Sequence, residues 1–227
     1  MTAPTLELRD VHSHYRTPGG VVKAVDGVDL RVEAGECVAV VGPSGSGKST
    51  LLALLGGLER ATSGTVSVLG TDLGSLSDER RAAFRRRHVG FVFQDLGLLP
   101  FLTAAENVAF GIGVAVADDP LDPRETLEQL HLGAQADKLV DQLSGGERGR
   151  VAIARSLAHR PELVLGDEPT GSLDAVLSDI TITFFLEAVR RLHSTAVVVT
   201  HDVDVAARFD RVVRLRDGKV EGGGPPS

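Results

Sequence analysis

Gly42-Pro43-Ser44-Gly45-Ser46-Gly47-Lys48-Ser49 sets a lysine and a hydroxyl directly behind three spaced glycines, with Thr50 next. The spacing is that of G-x-x-x-x-G-K-[ST], and it stands where the pattern requires, after the apolar run CVAVV and before STLLALLGGL. Glycines let backbone N–H groups close around phosphate oxygens, and the positive end of a following helix adds a favourable dipole. Lys48 would then hold β- and γ-phosphates, and the Ser49 hydroxyl would ligate magnesium. The spacing predicts a nucleoside triphosphate site, because a merely structural turn accounts for the glycines but not for the lysine and the hydroxyl.

ELVLGDEPTG supplies carboxylates. A buried strand through Leu163 and Leu165 would deliver Asp167 and Glu168 at its C-terminal end, where ligands of open α/β sheets bind. Two adjacent carboxylates can divide the work, Asp167 in the magnesium shell and Glu168 taking the proton of the attacking water. An N-cap for the next helix explains one acid and not both. His201, just past TAVVV, stands where a γ-phosphate sensor would, although a histidine after a strand is by itself unremarkable.

LSGGERGR, Leu143 to Arg150, adds a glycine pair behind a serine with no lysine. Ser144 and Glu147 satisfy S-x-x-E, a capping box opening a helix that runs through Val151, Ala154 and Ala158. If Glu147 reaches back to the Ser144 backbone, the serine hydroxyl and the glycine N–H groups remain available to a phosphate.

These residues need a scaffold. ECVAVVG, HVGFVFQ, ELVLGDE and TAVVVTH are near-continuous hydrophobic runs, the form of parallel strands covered on both faces. Leu51, Leu54, Leu55 and Leu58 recur at helical spacing after the phosphate loop, and FFLEAVRRL precedes the last of these strands. TLELRDV, VDGVDLRV and TVSVLG read as an antiparallel flank with a turn at Pro18-Gly19-Gly20, and RVVRLRDGKVEG as a hairpin through Asp217-Gly218. Residues 95–155 read as a helical insertion, with LTAAENVAF and PRETLEQLHL as helices and Asp118-Asp119-Pro120 as a break. Residues 1–94 with 156–227 form the expected catalytic core, and the tail GGGPPS is expected to be disordered.

Composition narrows the class. A chain of 227 residues, 42% hydrophobic, can bury a substantial core, and a net charge of -7 lacks the basic excess of a protein that neutralises nucleic-acid phosphates, so no nucleic-acid partner is expected. Cys37, the single cysteine, reads as a buried thiol without a role. No export signal is expected at the N-terminus, and VAFGIGVAVA, Val108 to Ala117, is about half the length that crosses a bilayer, so any membrane connection must run through a partner. SDERRAAFRRRH invites a basic-patch reading, but Ser77 can cap, Asp78 and Glu79 open the helix, and Arg85 to Arg87 close it, which describes a solvated helix matched to its dipole. His12 and His14 share a strand face without a third ligand nearby in sequence, so a surface pair is expected there and not a metal site.

With the phosphate loop, LSGGE and LVLGDEPTGSLD in that order, Gln94 after HVGFVF and His201 in VVVTHD, the sequence resembles the nucleotide-binding subunit of ABC transporters over roughly residues 5–218. The resemblance implies the ABC ATPase fold, an α/β P-loop NTPase with a mostly parallel sheet core, an antiparallel β flank and an inserted helical subdomain. It implies a magnesium-dependent ATP hydrolase. Tyr15 matches the aromatic that stacks on adenine, an edge-strand core aromatic being the alternative. Gln94 matches the residue that touches magnesium and the lytic water and relays occupancy to the membrane partner. Asp174 matches a loop that crosses the dimer interface. Two copies are implied to pack head to tail, each ATP held between Gly42 to Thr50 of one and Ser144, Gly145, Gly146 and Glu147 of the other. Glu147 stands where glutamine is commoner, Arg148-Gly149 where a glutamine pair is usual, and Gly166 where alanine or a larger apolar residue is usual. None of these removes a catalytic group.

GPSGSGKSTLL, SGTVSVLGTDLGSLSD, RRRHVGFVFQDLGLLPFLTAAENV and DEPTGSLD look like the branch that serves lipoprotein release, macrolide export and antimicrobial-peptide export. That resemblance implies a membrane permease partner and a place on the cytoplasmic face of the membrane. Val108 to Ala117 would lie where the permease docks, or form ordinary helix core. A chromosome-maintenance ATPase would carry a long heptad-rich coiled coil between Gln94 and Ser144, which the chain lacks, and a soluble translation factor would carry two phosphate loops. A mechanochemical subunit that signals without transport, as in the cell-division member of the branch, stays open.

Overall fold

The computed structural model describes residues 4–171 and 173–221. The tail expected to be disordered lies outside the described residues, and so does Ser172. The chain divides into two compact units, residues 1–82 with 197–227, and residues 83–196.

In the first unit the alternating N-terminal residues make β1 (Leu6–Thr17), antiparallel to β2 (Gly20–Val32). The turn falls at Pro18-Gly19, and Gly20 at φ 123° supplies the backbone that side-chain-bearing residues avoid. β4 (Ser63–Val68) pairs with the other edge of β1, and β5 (Thr71–Asp72) with β4. Leu6, Leu8, Val11 and Ser13 are buried while Asp10 and Arg9 are exposed, so the strand faces the core on one side and slips register at a bulge around Arg9-Asp10. β3 (Cys37–Val41) runs parallel to β9 (Arg211–Arg216), which turns back into β10 (Lys219–Glu221) through Asp217 at φ 47° and Gly218 at φ 74°. Cys37 to Val40 are fully buried, as the unbroken hydrophobic run requires. α1 (Lys48–Leu55) buries Leu51, Leu52, Leu54 and Leu55. Leu58, expected on the same stripe, lies beyond the helix and is exposed, because Gly56 and Gly57 end it.

In the second unit β6 (Val89–Val92) and β7 (Leu163–Asp167) pair in parallel. Thr103 and Glu106 form a capping box that opens α3 (Ala104–Val114). Asp122 caps α4 (Pro123–Gln129), whose first turn carries Pro123. α5 (Gly145–Leu157) packs against α3, α4, β6 and α6 (Ala175–Arg191), and α6 answers with Ser178, Thr181, Ile182, Phe185, Leu186 and Val189 at helical spacing. Two elements join the units along the chain, α2 (Asp78–His88) and β8 (Thr195–Val199), and α7 (Val203–Ala206) follows β8.

α2 is opened by Ser77, whose Oγ accepts from the Arg80 N–H at 3.3 Å. Its face is largely solvated as expected, with one exception: Arg81 is buried and hydrogen-bonds Asp78 at 2.9 Å. Helix core does not describe Val108 to Ala117, since Val108 is buried but Phe110, Val114 and Val116 are 48%, 54% and 45% exposed. Among the described residues no helix is long and apolar enough to cross a membrane.

Candidate functional site

The phosphate loop leaves β3 and enters α1 under tight steric constraint. A Cβ on Gly42 would lie 2.1 Å from the Leu215 carbonyl oxygen, and one on Gly47 would lie 1.9 Å from the Ala24 carbonyl oxygen. Gly47 caps α1 in the left-handed region, φ 100°, and makes no side-chain cap hydrogen bond to its first turn. The ammonium of Lys48 donates to the carbonyls of Gly42 (2.8 Å) and Pro43 (3.0 Å), which holds it across the loop. Ser44 and Gly45 are exposed, and the buried Ser46 hydroxyl has no hydrogen-bond partner among the described residues. The result is a helix N-terminus, one cation and one uncommitted buried hydroxyl, arranged for an anion with several oxygens.

Two more expected residues share this unit. Thr200 donates its N–H to Val40 at 3.1 Å, so β8 ends beside β3, and the next residue, His201, lines a hollow with Val41, Gly42 and Pro43. Tyr15 lies on β1 with its ring 37% exposed and its hydroxyl bonded to Glu59. It is not a core aromatic.

The second unit gathers the carboxylates. β6 and β7 pair Val92 with Gly166, so Gln94 and Asp167 emerge at the C-terminal ends of neighbouring parallel strands. Glu168 follows at φ 48°, a left-handed backbone that costs a non-glycine residue about 1–2 kcal/mol. Strain of this kind is found at tight turns and concentrates at functional sites. The turn is closed by the Gly171 N–H donating to the Glu168 carbonyl at 3.0 Å. A Cβ on Gly171 would lie 3.3 Å from Glu168 Cβ and 3.9 Å from Gln94 Nε2, which places Gln94 beside the Glu168 turn.

The capping box read from S-x-x-E is present. Ser144 Oγ accepts from the Glu147 N–H at 3.3 Å, and Glu147 Oε2 accepts from the Ser144 N–H at 2.7 Å. That backbone hydrogen bond holds the Glu147 carboxyl below its ordinary range. Cβ atoms on Gly145 and Gly146 would come within 3.3 Å of Leu173 and 3.2 Å of Leu177, so the glycine pair admits the start of α6. Asp174 caps α6, accepting from the Leu177 N–H at 2.9 Å. Ser144, Gly145, Glu147 and Asp174 are therefore neighbours in the second unit, with Gly146 buried against Leu177 beneath them.

Two features escaped the sequence. Arg155, on the last turn of α5, donates to the carbonyls of Leu96 (2.5 Å) and Gly97 (2.6 Å), fixing the loop that follows Gln94. Burial holds its guanidinium below the ordinary arginine range. His12 and His14 have a third partner, Asp26, delivered by β2 and not by neighbouring sequence. The hairpin turn at Pro18-Gly19 sets the register that pairs His12 with Asp26.

Comparison with known proteins extends beyond this geometry. A family model described as "ABC transporter" matches residues 25–171. The "Lipoprotein-releasing system ATP-binding protein LolD" of Novosphingobium aromaticivorans is 45% identical over 97% of this chain and 100% of its own. The "Macrolide export ATP-binding/permease protein MacB" of Rhodopirellula baltica is 44% identical over 95% of this chain and 32% of its own. A solved structure of the ATP-binding cassette MJ0796, a dimer in a post-hydrolysis state bound to ADP and Pi, superposes with a TM-score of 0.84 at 36% identity, covering 95% of this chain and 96% of that one.

Proposed function

The chain belongs to the ABC transporter family and is an ATP-hydrolysing member of it, and from that premise we propose that it is the motor subunit of a membrane permease. It works as a head-to-tail dimer on the cytoplasmic face of the membrane, driving extraction or export of lipoprotein, peptide or drug. The phosphate loop carries this reading. Two of its three glycines, Gly42 and Gly47, are forced by carbonyls that approach where a Cβ would be, and Lys48 already sits across the loop on two carbonyls that phosphate oxygens can replace.

N–H groups from Ser44 to Thr50 bind the phosphates, and the exposed ring of Tyr15 stacks on the adenine. Ser49, Gln94 and Asp167 offer only oxygen donors, which suits Mg2+, and the ion when bound would offset phosphate charge. Glu168, on its strained turn, accepts the proton of the attacking water, and His201 contacts the γ-phosphate. Ser144 and the N–H groups of Gly145 and Gly146 serve the partner's ATP. Because Ser144 Oγ accepts from Glu147, its own O–H remains to donate to that phosphate. Asp174 crosses the dimer interface. Glu147 is turned back on the Ser144 backbone, so its charge supports the cap and leaves the phosphate side to donors.

The names of the relatives, lipoprotein release and macrolide export, support the permease partner and the branch. So do the exposed Phe110, Val114 and Val116, an apolar face suited to a docking helix. Glu168→Gln tests the mechanism. The variant is expected to bind ATP, stall in hydrolysis and elute as a dimer; a monomeric ATP-loaded variant would contradict the dimer mechanism. Co-purification of a permease from membranes tests the assignment to a transporter.

A further inference from the structure

Three groups with no part in ATP chemistry converge on the β1–β2 hairpin. His12 Nδ1 lies 3.1 Å from Asp26 Oδ1, and His14 Nε2 lies 3.2 Å from the same oxygen. All three ligand atoms fall within 4.8 Å of one another. The rings meet edge to face with centroids 5.4 Å apart, and the groups are largely buried, with side chains 24%, 25% and 16% exposed. Ligands about 2.0–2.1 Å from a tetrahedral ion stand about 3.3 Å apart, close to the two observed separations.

The other nitrogen of His12, Nε2, lies 3.0 Å from Asp10 Oδ1, so both ring nitrogens face carboxylates. His14 brings a second nitrogen to the Asp26 Oδ1 that His12 Nδ1 faces, so one carboxylate oxygen stands between two imidazoles. A proton on each imidazole, or one divalent ion shared by the three groups, satisfies these contacts. A carboxylate behind a histidine is the common outer partner of a metal-ligating imidazole, since it fixes the tautomer and raises basicity. The fold makes a specific concession to place it. Asp10 sits at φ 47° in the bulge of β1, where Gly64 leaves room for a carbonyl that would lie 2.2 Å from a Cβ. Asp26 is likewise shared. Oδ1 faces the imidazoles and Lys23 Nζ at 3.5 Å, and Oδ2 takes Lys23 Nζ at 3.3 Å and Lys219 Nζ at 3.9 Å.

We propose that His12, His14 and Asp26 form a site for a Zn2+-class divalent ion, with Asp10 as the orienting partner of His12 and water in the fourth position. Two imidazoles and one carboxylate suit zinc and its neighbours over magnesium or calcium. An ion here would staple β1 to β2 immediately before Tyr15.

The test titrates untagged, EDTA-stripped, nucleotide-free protein with Co2+ as the spectroscopic probe, and with Zn2+ by calorimetry and thermal shift. Wild type is expected to bind one equivalent per chain, with visible absorption that Zn2+ abolishes and a rise in Tm. His12→Gln/His14→Gln should lose the signal, and His14→Gln alone should lose the Zn2+-dependent rise in Tm. Asp10→Asn should weaken binding about 10–100-fold. Lys23→Gln should tighten it, because a competing cation leaves Asp26. If the double variant binds as wild type does, if wild type fails at millimolar metal, or if Lys23→Gln leaves affinity unchanged, protons and lysines fill the cluster and the proposal falls.

Discussion

Gly42, Gly45 and Gly47 separate two reasons for a glycine within one loop. Gly45 sits at φ 78° with nothing within 4 Å of a built Cβ, so alanine there adds left-handed strain and no collision. Gly42 has no positive φ, but its Cβ would meet the Leu215 carbonyl at 2.1 Å, a collision without that strain. Gly47 combines φ 100° with a carbonyl at 1.9 Å, more than an ångström inside the 3.0 Å that real Cβ atoms keep. Left-handed strain is about 1–2 kcal/mol, and forcing packed atoms apart about 1–3 kcal/mol. With about 1.4 kcal/mol per tenfold, Gly45→Ala should lose about five- to thirtyfold in combined affinity and stability. Gly42→Ala should lose about five- to a hundredfold, and Gly47→Ala from about thirtyfold to several thousandfold. The cost falls on stability if the loop keeps its shape and on affinity if it relaxes. Each variant is therefore measured both by thermal melting and by titration with a fluorescent ATP analogue. If Gly47→Ala proves no worse than Gly45→Ala in the two readouts together, the loop does not bind phosphate in the form described.

Glu147→Ala breaks the capping box and is expected to lower Tm by a few degrees, corresponding to about 1 kcal/mol, with Glu147→Gln losing less; an unchanged Tm for the alanine variant would show the box to be idle. The Glu147 carboxyl titrates low in the folded state, so its contribution is present above the unfolded pKa and disappears as pH falls through the folded value. His159 is buried, and burial pushes its pKa down although the Val89 backbone opposes this. Below the ordinary histidine pKa of 6.5 the unfolded chain takes a proton that the folded chain refuses, so stability falls as pH drops from there towards the folded value. His159→Leu should flatten that part of the Tm–pH curve, and an identical curve would rule the residue out. Arg155→Ala removes two bonds to loop carbonyls, each about 1.5–3 kcal/mol, and Arg155→Lys cannot span both. Both variants should lower kcat with ATP affinity unchanged, and the converse pattern would mean that Arg155 serves the phosphate loop and not the loop after Gln94.

What was legible in the sequence is what the chain achieves locally. The phosphate loop, the parallel strands and the capping boxes each depend on residues within a few positions of one another, so spacing alone locates them. Glu147 is the clearest case. As a departure from the commoner glutamine it raised a question about function, and as the third helical residue after a serine it answered that question, because a carboxylate that accepts the Ser144 N–H is a cap first. What stayed hidden needed register. Asp26 joins His12 and His14 because a turn at Pro18-Gly19 folds β2 back and a bulge at Asp10 shifts the pairing. Local sequence signals neither fact as chemistry. Arg155 was hidden for a related reason: its acceptors, Leu96 and Gly97, are backbone carbonyls, which every residue possesses and no motif records. α5, a rod of 13 residues, begins at the Ser144 cap, and Arg155 on its last turn grips the loop after Gln94. A rigid helix cannot shift one end without the other. The Ser144 cap and the loop after Gln94 are thus mechanically one part, and the residue that joins them lies outside every motif.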